Sequence, residues 1–374
     1  MTAYLNLPMP PSPVRKFRSS VLALITFGCF LASPAFGGWM KVKPDDDRFK
    51  GEDSGRAGRG VFADGPDGAI DTSEVEWSDP SLKPPPSANS SAVISLALAR
   101  RDSGLSKKER AKIQKLTATR MVEVKGGCFL MGSPEGTGNQ AERPQHEVCV
   151  DAFRLDQVPV TQDAYQALTG EAPWLLCLGT TCTPPSPKHP AWFVTWTEAD
   201  AYCKAVGKRL PTEAEFEYAA RAGSTTIWPW GDTLFHGCKH ANIADLSLRK
   251  AFRNWVVANC DDGSALIAAV GSYKANPWGL QDMTGNVWHW TADWYSSTYY
   301  QTSPRENPKG PASGTGRTMR GGSWMGSPES TRSAFRDGFA PNGRYPGSIG
   351  FRCAADASKD APAPAAKQKP SKSK

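Results

Sequence analysis

Glycine and proline interrupt this chain at 35 and 31 of its 374 positions, and that density constrains the fold more than any other feature. Proline removes a backbone donor and fixes φ, and glycine frees the backbone where a turn is needed. Long helices and long strands are excluded. A chain of this kind buries its core through short elements and ordered loops. The apolar material is present: 39% of residues are hydrophobic and 13 are Trp, each able to bury a large area.

The cysteines constrain the compartment. Arg15, Lys16 and Arg18 precede an apolar run over residues 21–31, which Ser33-Pro34 ends; Ala35 and Gly37 then offer a small-residue cleavage site before Gly38. This is the pattern of a secretory leader over residues 1–37. The run is too short to remain as a membrane span, and no other stretch could cross a bilayer. Cys29 could instead carry a lipid, although Thr26-Phe27-Gly28 before it is a poor lipobox. Without Cys29 the nine cysteines become eight, which in an oxidising compartment reads as up to four disulfides. No CxxC occurs, so zinc-ribbon and thioredoxin chemistry have no support. The formal charge of +7 falls by three with the leader and is dispersed, so no nucleic-acid partner is expected. The expected location is periplasmic or secreted.

Composition divides the mature chain. Residues 38–90 are rich in Asp, Gly, Pro and Ser and read as a solvated linker. Residues 91–120 hold two helical stretches, 91–99 and 106–117, the second opened by a Ser106/Glu109 capping box. They form either a helical spacer or a partner-binding helix. Residues 356–374 are an Ala/Pro/Lys/Ser tail expected to be disordered. The body is residues 121–355.

The body opens with alternating runs over 122–132 and 146–153 that read as half-buried strands, with Cys128 and Cys149 in their middles. Antiparallel neighbours would bring these cysteines within bonding distance, so a Cys128–Cys149 bridge is predicted. A helix follows over 161–168, ended by Gly170. Cys177 and Cys182 flank a tight loop that a bridge would staple. A second helix runs from Thr197 to Val206, stopped by Gly207, and a third begins at the Thr212/Glu215 capping box and ends at Gly223.

An ordered set of short segments then carries a resemblance. It begins with Gly127-Cys128-Phe129-Leu130-Met131-Gly132-Ser133, His189-Pro190-Ala191-Trp192-Phe193-Val194-Thr195-Trp196 and Gly207-Lys208-Arg209-Leu210-Pro211-Thr212-Glu213-Ala214-Glu215-Phe216-Glu217. Pro229-Trp230-Gly231-Asp232, Ala241-Asn242-Ile243, Trp278-Gly279-Leu280 and Gly285-Asn286-Val287-Trp288 follow. Arg320-Gly321-Gly322-Ser323-Trp324 and Gly350-Phe351-Arg352-Cys353 close it. Each segment is weak alone, but in this order and spacing the body resembles the formylglycine-generating enzyme, or sulfatase-modifying factor, family. The resemblance implies a compact, irregular α+β fold related to C-type lectins and low in regular secondary structure.

By position, the resemblance implies the family's long-range disulfide between Cys203 and Cys353. A second family bridge would need cysteines near Ala220 and Ser333, where this chain has none at either end. Cys238 and Cys260 are then left as the fourth pair. The resemblance also implies calcium, a hard cation held by oxygen. A first site maps onto the side chains of Asn242 and Asp262 with backbone oxygens of Ile243 and Ser264. A second maps onto Asp282, Gly285, Val287 and His289. Where the family normally has Glu, this chain has His289, and imidazole is a poor calcium ligand.

The resembling enzymes oxidise a substrate cysteine to formylglycine with copper held by two thiolates, ligands soft enough to select Cu(I). Those thiolates would follow the Gly-Gly-Ser-Trp turn, but residues 325–332 read Met-Gly-Ser-Pro-Glu-Ser-Thr-Arg, without cysteine. Copper is therefore not expected. Trp288 and Ser323 match pocket-lining positions of the family, and Arg332 and Arg336 fall in the same closing segment. These four are either a retained groove for a peptide or small ligand, or a core Trp, a turn Ser and structural ion pairs. His236 and His240 lack a third metal ligand, and no Gly-x-Ser-x-Gly, Walker or dinucleotide motif occurs. The expected function is an exported accessory or binding module for a protein or peptide. The alternatives are an oxidoreductase resembling the pyoverdine-maturing branch and, behind it, a true formylglycine generator.

Overall fold

The computed structural model describes residues 104–357, except 175, 179–180, 184–185, 253–254 and 346–347. The expected leader, linker, first helical stretch of the spacer and most of the tail lie outside the described residues.

Helix α1 (Lys107–Thr117) is opened by the Ser106/Glu109 capping box and buries none of its residues. Strand β1 (Met121–Val124) then begins the body. It pairs antiparallel with β4 (Phe153–Asp156), on whose other edge lies β11 (Ala354–Asp356). The start and the end of the body thus share one sheet. Strands β2 (Gly127–Met131) and β3 (His146–Val150) form an antiparallel pair in which Cys128 stands directly opposite Cys149, and the two are disulfide-bonded. The Cys203–Cys353 and Cys238–Cys260 disulfides are also present. Cys177 and Cys182 face each other across β5 (Leu176–Leu178) and β6 (Thr181–Thr183), but their side chains lie outside the described ones.

Three short helices follow the predicted pattern. Helix α2 (Gln162–Thr169) is capped by Thr161 and ended by Gly170 in the left-handed region. Helix α3 (Trp196–Ala205) opens at a cap two residues before the expected Thr197. Its N-cap is Thr195, whose hydroxyl accepts from Glu198 N–H while the Glu198 carboxylate accepts from Thr195 N–H. Thr197, the expected opener, instead lies inside the first turn and donates to Asn342 Oδ1. Both threonines precede apolar-periodic residues, but only Thr195 has a glutamate three residues on. Helix α4 (Glu213–Arg221) opens at the Thr212/Glu215 capping box and ends at Ala222, with Gly223 also left-handed. A short helix α5 (Leu246–Ala251) is capped by Asp245.

The second sheet has the order β10 (Ile349–Gly350), β7 (Trp288–Trp294), β8 (Arg317–Arg320), β9 (Arg336–Phe339). Around it lies the main core, with Trp192, Trp290, Trp324, Tyr202 and Phe351 fully enclosed. A second apolar cluster joins α4, through Phe216 and Ala219, to the first sheet through Leu155 and Phe153. Most candidate site residues lie in the loops between these elements, while Trp288 and His289 start β7 and Arg336 starts β9.

Candidate functional site

The segments around Asn242 and Asp262, on either side of α5, build an oxygen-rich corner. Asn242 is fully buried; its amide Nδ2 donates to Leu266 O at 2.8 Å and to Asn286 Oδ1 at 3.1 Å, while its Oδ1 has no partner. The Asp262 carboxylate accepts from Ile243 N–H at 2.9 Å and from Ser264 N–H at 2.8 Å. Asp245 caps α5 through Leu248 N–H and also accepts from Asp262 N–H. Burial, with repulsion from Asp245 and Asp261, pushes the Asp262 carboxyl up to about 7. A divalent cation would reverse that cost, because it stabilises the paired carboxylates. The orphaned amide oxygen and the crowded carboxylates fit a hard cation. Cys238 lies with Asp245 and Asp262 in the one His/Cys/acid cluster of metal-holding size among the described residues, but its sulfur is bonded to Cys260.

The second expected calcium position is built differently. Asp282 sits at φ 52°, its Oδ2 accepting from Gly271 N–H at 2.6 Å and its Oδ1 without a partner. Gly285 has φ 72°, and a Cβ there would lie 2.2 Å from the Asn242 carbonyl oxygen, so only glycine fits. Val287 and His289 are enclosed. Both His289 ring nitrogens lack partners, and the ring packs 5.1 Å from Phe216. Burial, reinforced by the Arg352 charge, holds this imidazole neutral, well below its ordinary value. The Arg352 guanidinium donates to the Asp282 carbonyl at 2.7 Å and the Gln281 carbonyl at 2.8 Å. A neutral imidazole and a resident guanidinium do not fit a calcium ion.

The four groove candidates are enclosed. Ser323 is fully buried and its hydroxyl has no partner. Trp288 is 4% exposed and packs 5.8 Å from Phe335. Arg332 grips Glu142 through two bonds of 2.6 and 2.8 Å and lies 5.4 Å over the same Phe335 ring. Arg336 grips Glu213 at 2.6 and 2.7 Å and donates to the Ala141 and Ser296 carbonyls. Phe335 thus brings Trp288 and Arg332 together, while Arg336 belongs to a separate ionic cluster. Burial opposes the charge on Glu142 and Glu213, but their arginines override it and hold both carboxyls below the ordinary range. Glu217 completes the network through Arg320 and Arg221. The sequence reading named the arginines and missed these acids. Their signal was Glu213 and Glu217 one turn apart on the face of α4 that also carries Phe216.

No cysteine with a described side chain is free to supply a thiolate. All six cysteines with described side chains are in disulfides, and the segment after Ser323 contains no cysteine. The His236/His240 pair does not assemble a metal site either. His236 is exposed, and His240 stacks on Trp230 with ring centroids 5.5 Å apart.

Comparison with known proteins places this geometry. The sulfatase-modifying factor enzyme 1-like domain matches residues 106–357. A formylglycine-generating enzyme from Streptomyces coelicolor is 35% identical over 286 residues, 63% of this chain and 89% of that protein. A serine/threonine-protein kinase, pkn1, from Chlamydia caviae is 36% identical over 274 residues, 66% of this chain but only 39% of the kinase. The solved structure of PvdO from Pseudomonas aeruginosa superposes with a TM-score of 0.53 at 29% identity, covering 64% of this chain and 94% of PvdO.

Proposed function

We propose, from the premise that this chain belongs to the sulfatase-modifying factor family, that it is an exported module that binds a protein or peptide without the family's copper chemistry. One observation carries the reading. The position of the thiolate pair holds no cysteine, and each of the six cysteines whose side chains are described is consumed in a disulfide. Soft thiolate ligation of copper therefore has no donors there. The kinase relative supports a domain that serves as one part of a larger activity, since the match covers 39% of that protein. The disulfides support an oxidising compartment, periplasmic or extracellular. No helix among the described residues is long and apolar enough to cross a membrane. Calcium belongs at Asn242 and Asp262, where it would tie together the segments on either side of α5.

The test is a free-thiol titration on denatured, unreduced protein from its native compartment, with copper and calcium analysis on the native protein. The expected result is no free thiol and no copper, together with a partner that co-purifies and no conversion of cysteine peptides. Two free thiols with bound copper would overturn the reading. The likeness to PvdO at 29% identity favours a second reading, a copper-free oxidoreductase acting on a peptide-like substrate. Oxygen uptake with such a peptide, absent from a Ser323→Ala variant that still folds, would decide for it.

A further inference from the structure

The three disulfides with described side chains differ in what surrounds their sulfurs. Cys203 and Cys353 are fully buried. Cys238 is 8% exposed, Cys260 is half-buried, and the Cys238 Sγ lies 3.8 Å from the Asp245 carboxylate in a buried setting. Among these six cysteines only Cys128 is exposed, and the Arg305 guanidinium donates to its Sγ at 3.7 Å on the exposed face. We propose that Cys128–Cys149 is an exchange-active disulfide, with Cys128 the sulfur attacked and Cys149 the resolving one. Its substrate is a thiol, the cysteine of a partner protein or a small thiol. The proposal goes beyond the copper-free binding reading and does not depend on it. Exchange moves electrons between sulfurs only and leaves the carbon of the substrate unoxidised.

Access sets the order of attack. Strand β2 alternates, and Cys128 shares its outward face with Leu130, which is 52% exposed. Directly opposite, Cys149 is 6% exposed, because residues 305–307 run beside it. Cys149 N–H donates to Arg305 O at 2.7 Å, and Asn307 N–H donates to Cys149 O at 2.8 Å. A thiolate arriving from solvent therefore meets the Cys128 sulfur first. Charge points the same way, since the attacking group is an anion and exchange depends on access and on the charges around the sulfurs. At Cys128 it meets a guanidinium, and at Cys238 a carboxylate. Glu147 and Glu306 bind the same guanidinium, so Arg305 acts at contact range rather than as a field over the whole face. The fold survives opening. The bridge spans 21 residues of sequence against 150 for Cys203–Cys353, so its loss frees less chain entropy, and the β2–β3 ladder holds the register without it. In the reaction, the thiolate attacks Cys128 Sγ, the Cys128–Cys149 bond breaks, and its electron pair leaves on Cys149 Sγ, which takes a proton from water. A second substrate thiol then attacks the substrate sulfur of the mixed disulfide. Two substrate thiols become one disulfide, and the two electrons rest on Cys128 and Cys149 as thiols.

The experiment treats the oxidised full chain with reduced glutathione, or with the peptide N-acetyl-Leu-Cys-Leu-amide, quenches with iodoacetamide and maps each cysteine by mass spectrometry. The expected first product carries the thiol on Cys128 and the alkyl group on Cys149. It should form at least about tenfold faster than any product at Cys203, Cys353, Cys238 or Cys260, with far-ultraviolet dichroism unchanged. Cys177 and Cys182 are mapped separately and do not enter that comparison. Cys149→Ala, which leaves Cys128 as a free thiol, should form a stable mixed disulfide with oxidised glutathione. Cys128→Ala, which leaves the enclosed Cys149, should react about tenfold more slowly. Should either variant fail to fold, the wild-type map decides alone. Faster exchange with the peptide than with glutathione assigns the substrate to protein cysteines, where Leu130 adds an apolar contact, and the reverse assigns it to small thiols. A thiol on Cys149 ahead of Cys128, equal opening of all three bridges, or no exchange before the chain unfolds would overturn the proposal. Copper content and partner capture are independent of these results, so the two readings fail separately.

Discussion

Arg332 and Glu142, 190 residues apart in sequence, are joined by two bonds of 2.6 and 2.8 Å in a buried setting. Glu142 also accepts from Ser133 Oγ and from Asn139 N–H. One ion pair thus ties the closing segment of the body to the loop after β2.

Arg332→Ala leaves Glu142 buried and unpaired, and removing one partner of such a pair costs about 3–5 kcal/mol. Denaturant unfolding of Arg332→Ala should show that loss, whereas Arg332→Lys should keep part of the stability but lose the two-point geometry. An unchanged unfolding midpoint in Arg332→Ala would place Arg332 with the ligand groove instead.

Stability without calcium should depend on pH through Asp262. Its carboxyl is raised in the folded protein to about 7 from an ordinary 3.8. Between those values the folded chain keeps a proton that the unfolded chain has released, so stability falls as pH rises across the window. Asp293, pushed up to about 8 by burial and by Glu213, contributes with the same sign. The difference in thermal midpoint between wild type and Asp262→Asn, followed from pH 4 to 7, isolates Asp262. Saturating calcium should flatten the wild-type dependence, and a wild-type profile parallel to that of Asp262→Asn would remove the assignment.

Metal content should be a single calcium per chain. The first corner offers unpartnered and crowded oxygens, and the second holds His289 beside Arg352. His289→Glu restores the oxygen ligand and should raise the calcium count in native protein. Two calcium ions in the wild type would show that carbonyl oxygens compensate for the imidazole.

The Cys203–Cys353 disulfide joins α3 to the residue before β11 across 150 residues of sequence. Cys203→Ala with Cys353→Ala should cost about 2–5 kcal/mol, because closing so long a loop restricts the unfolded chain strongly. The loss should appear as a lower denaturant midpoint with an unchanged fold in far-ultraviolet dichroism. An equal midpoint would mean that core packing alone holds the two ends.

Much of the fold was legible locally. The Ser106/Glu109 and Thr212/Glu215 boxes and the Thr161 cap are written within four residues, so the sequence located α1, α4 and α2. The start of α3 was misplaced because two threonines stand two residues apart and only one has its glutamate at the right spacing. The facing of Cys128 and Cys149 followed from strand alternation. Glu142, Glu213 and Glu217 were not legible as partners of Arg332, Arg336 and Arg320, since those pairs cross 103 to 190 residues and leave no periodic trace.

The sequence by itself determined the family, the loop-rich character, the absence of cysteine after Ser323 and the replacement of an acid by His289. These are statements about residue identity and short-range order, which the chain carries without folding. Only the tertiary structure decided that Ser323 and Trp288 are enclosed, that the closing arginines are spent on buried acids, and that Asp282 is buried with one carboxylate oxygen unsatisfied. Burial and pairing depend on which distant segments meet, and the free energy of a buried charge or orphaned oxygen is set by those neighbours rather than by the residue that bears it.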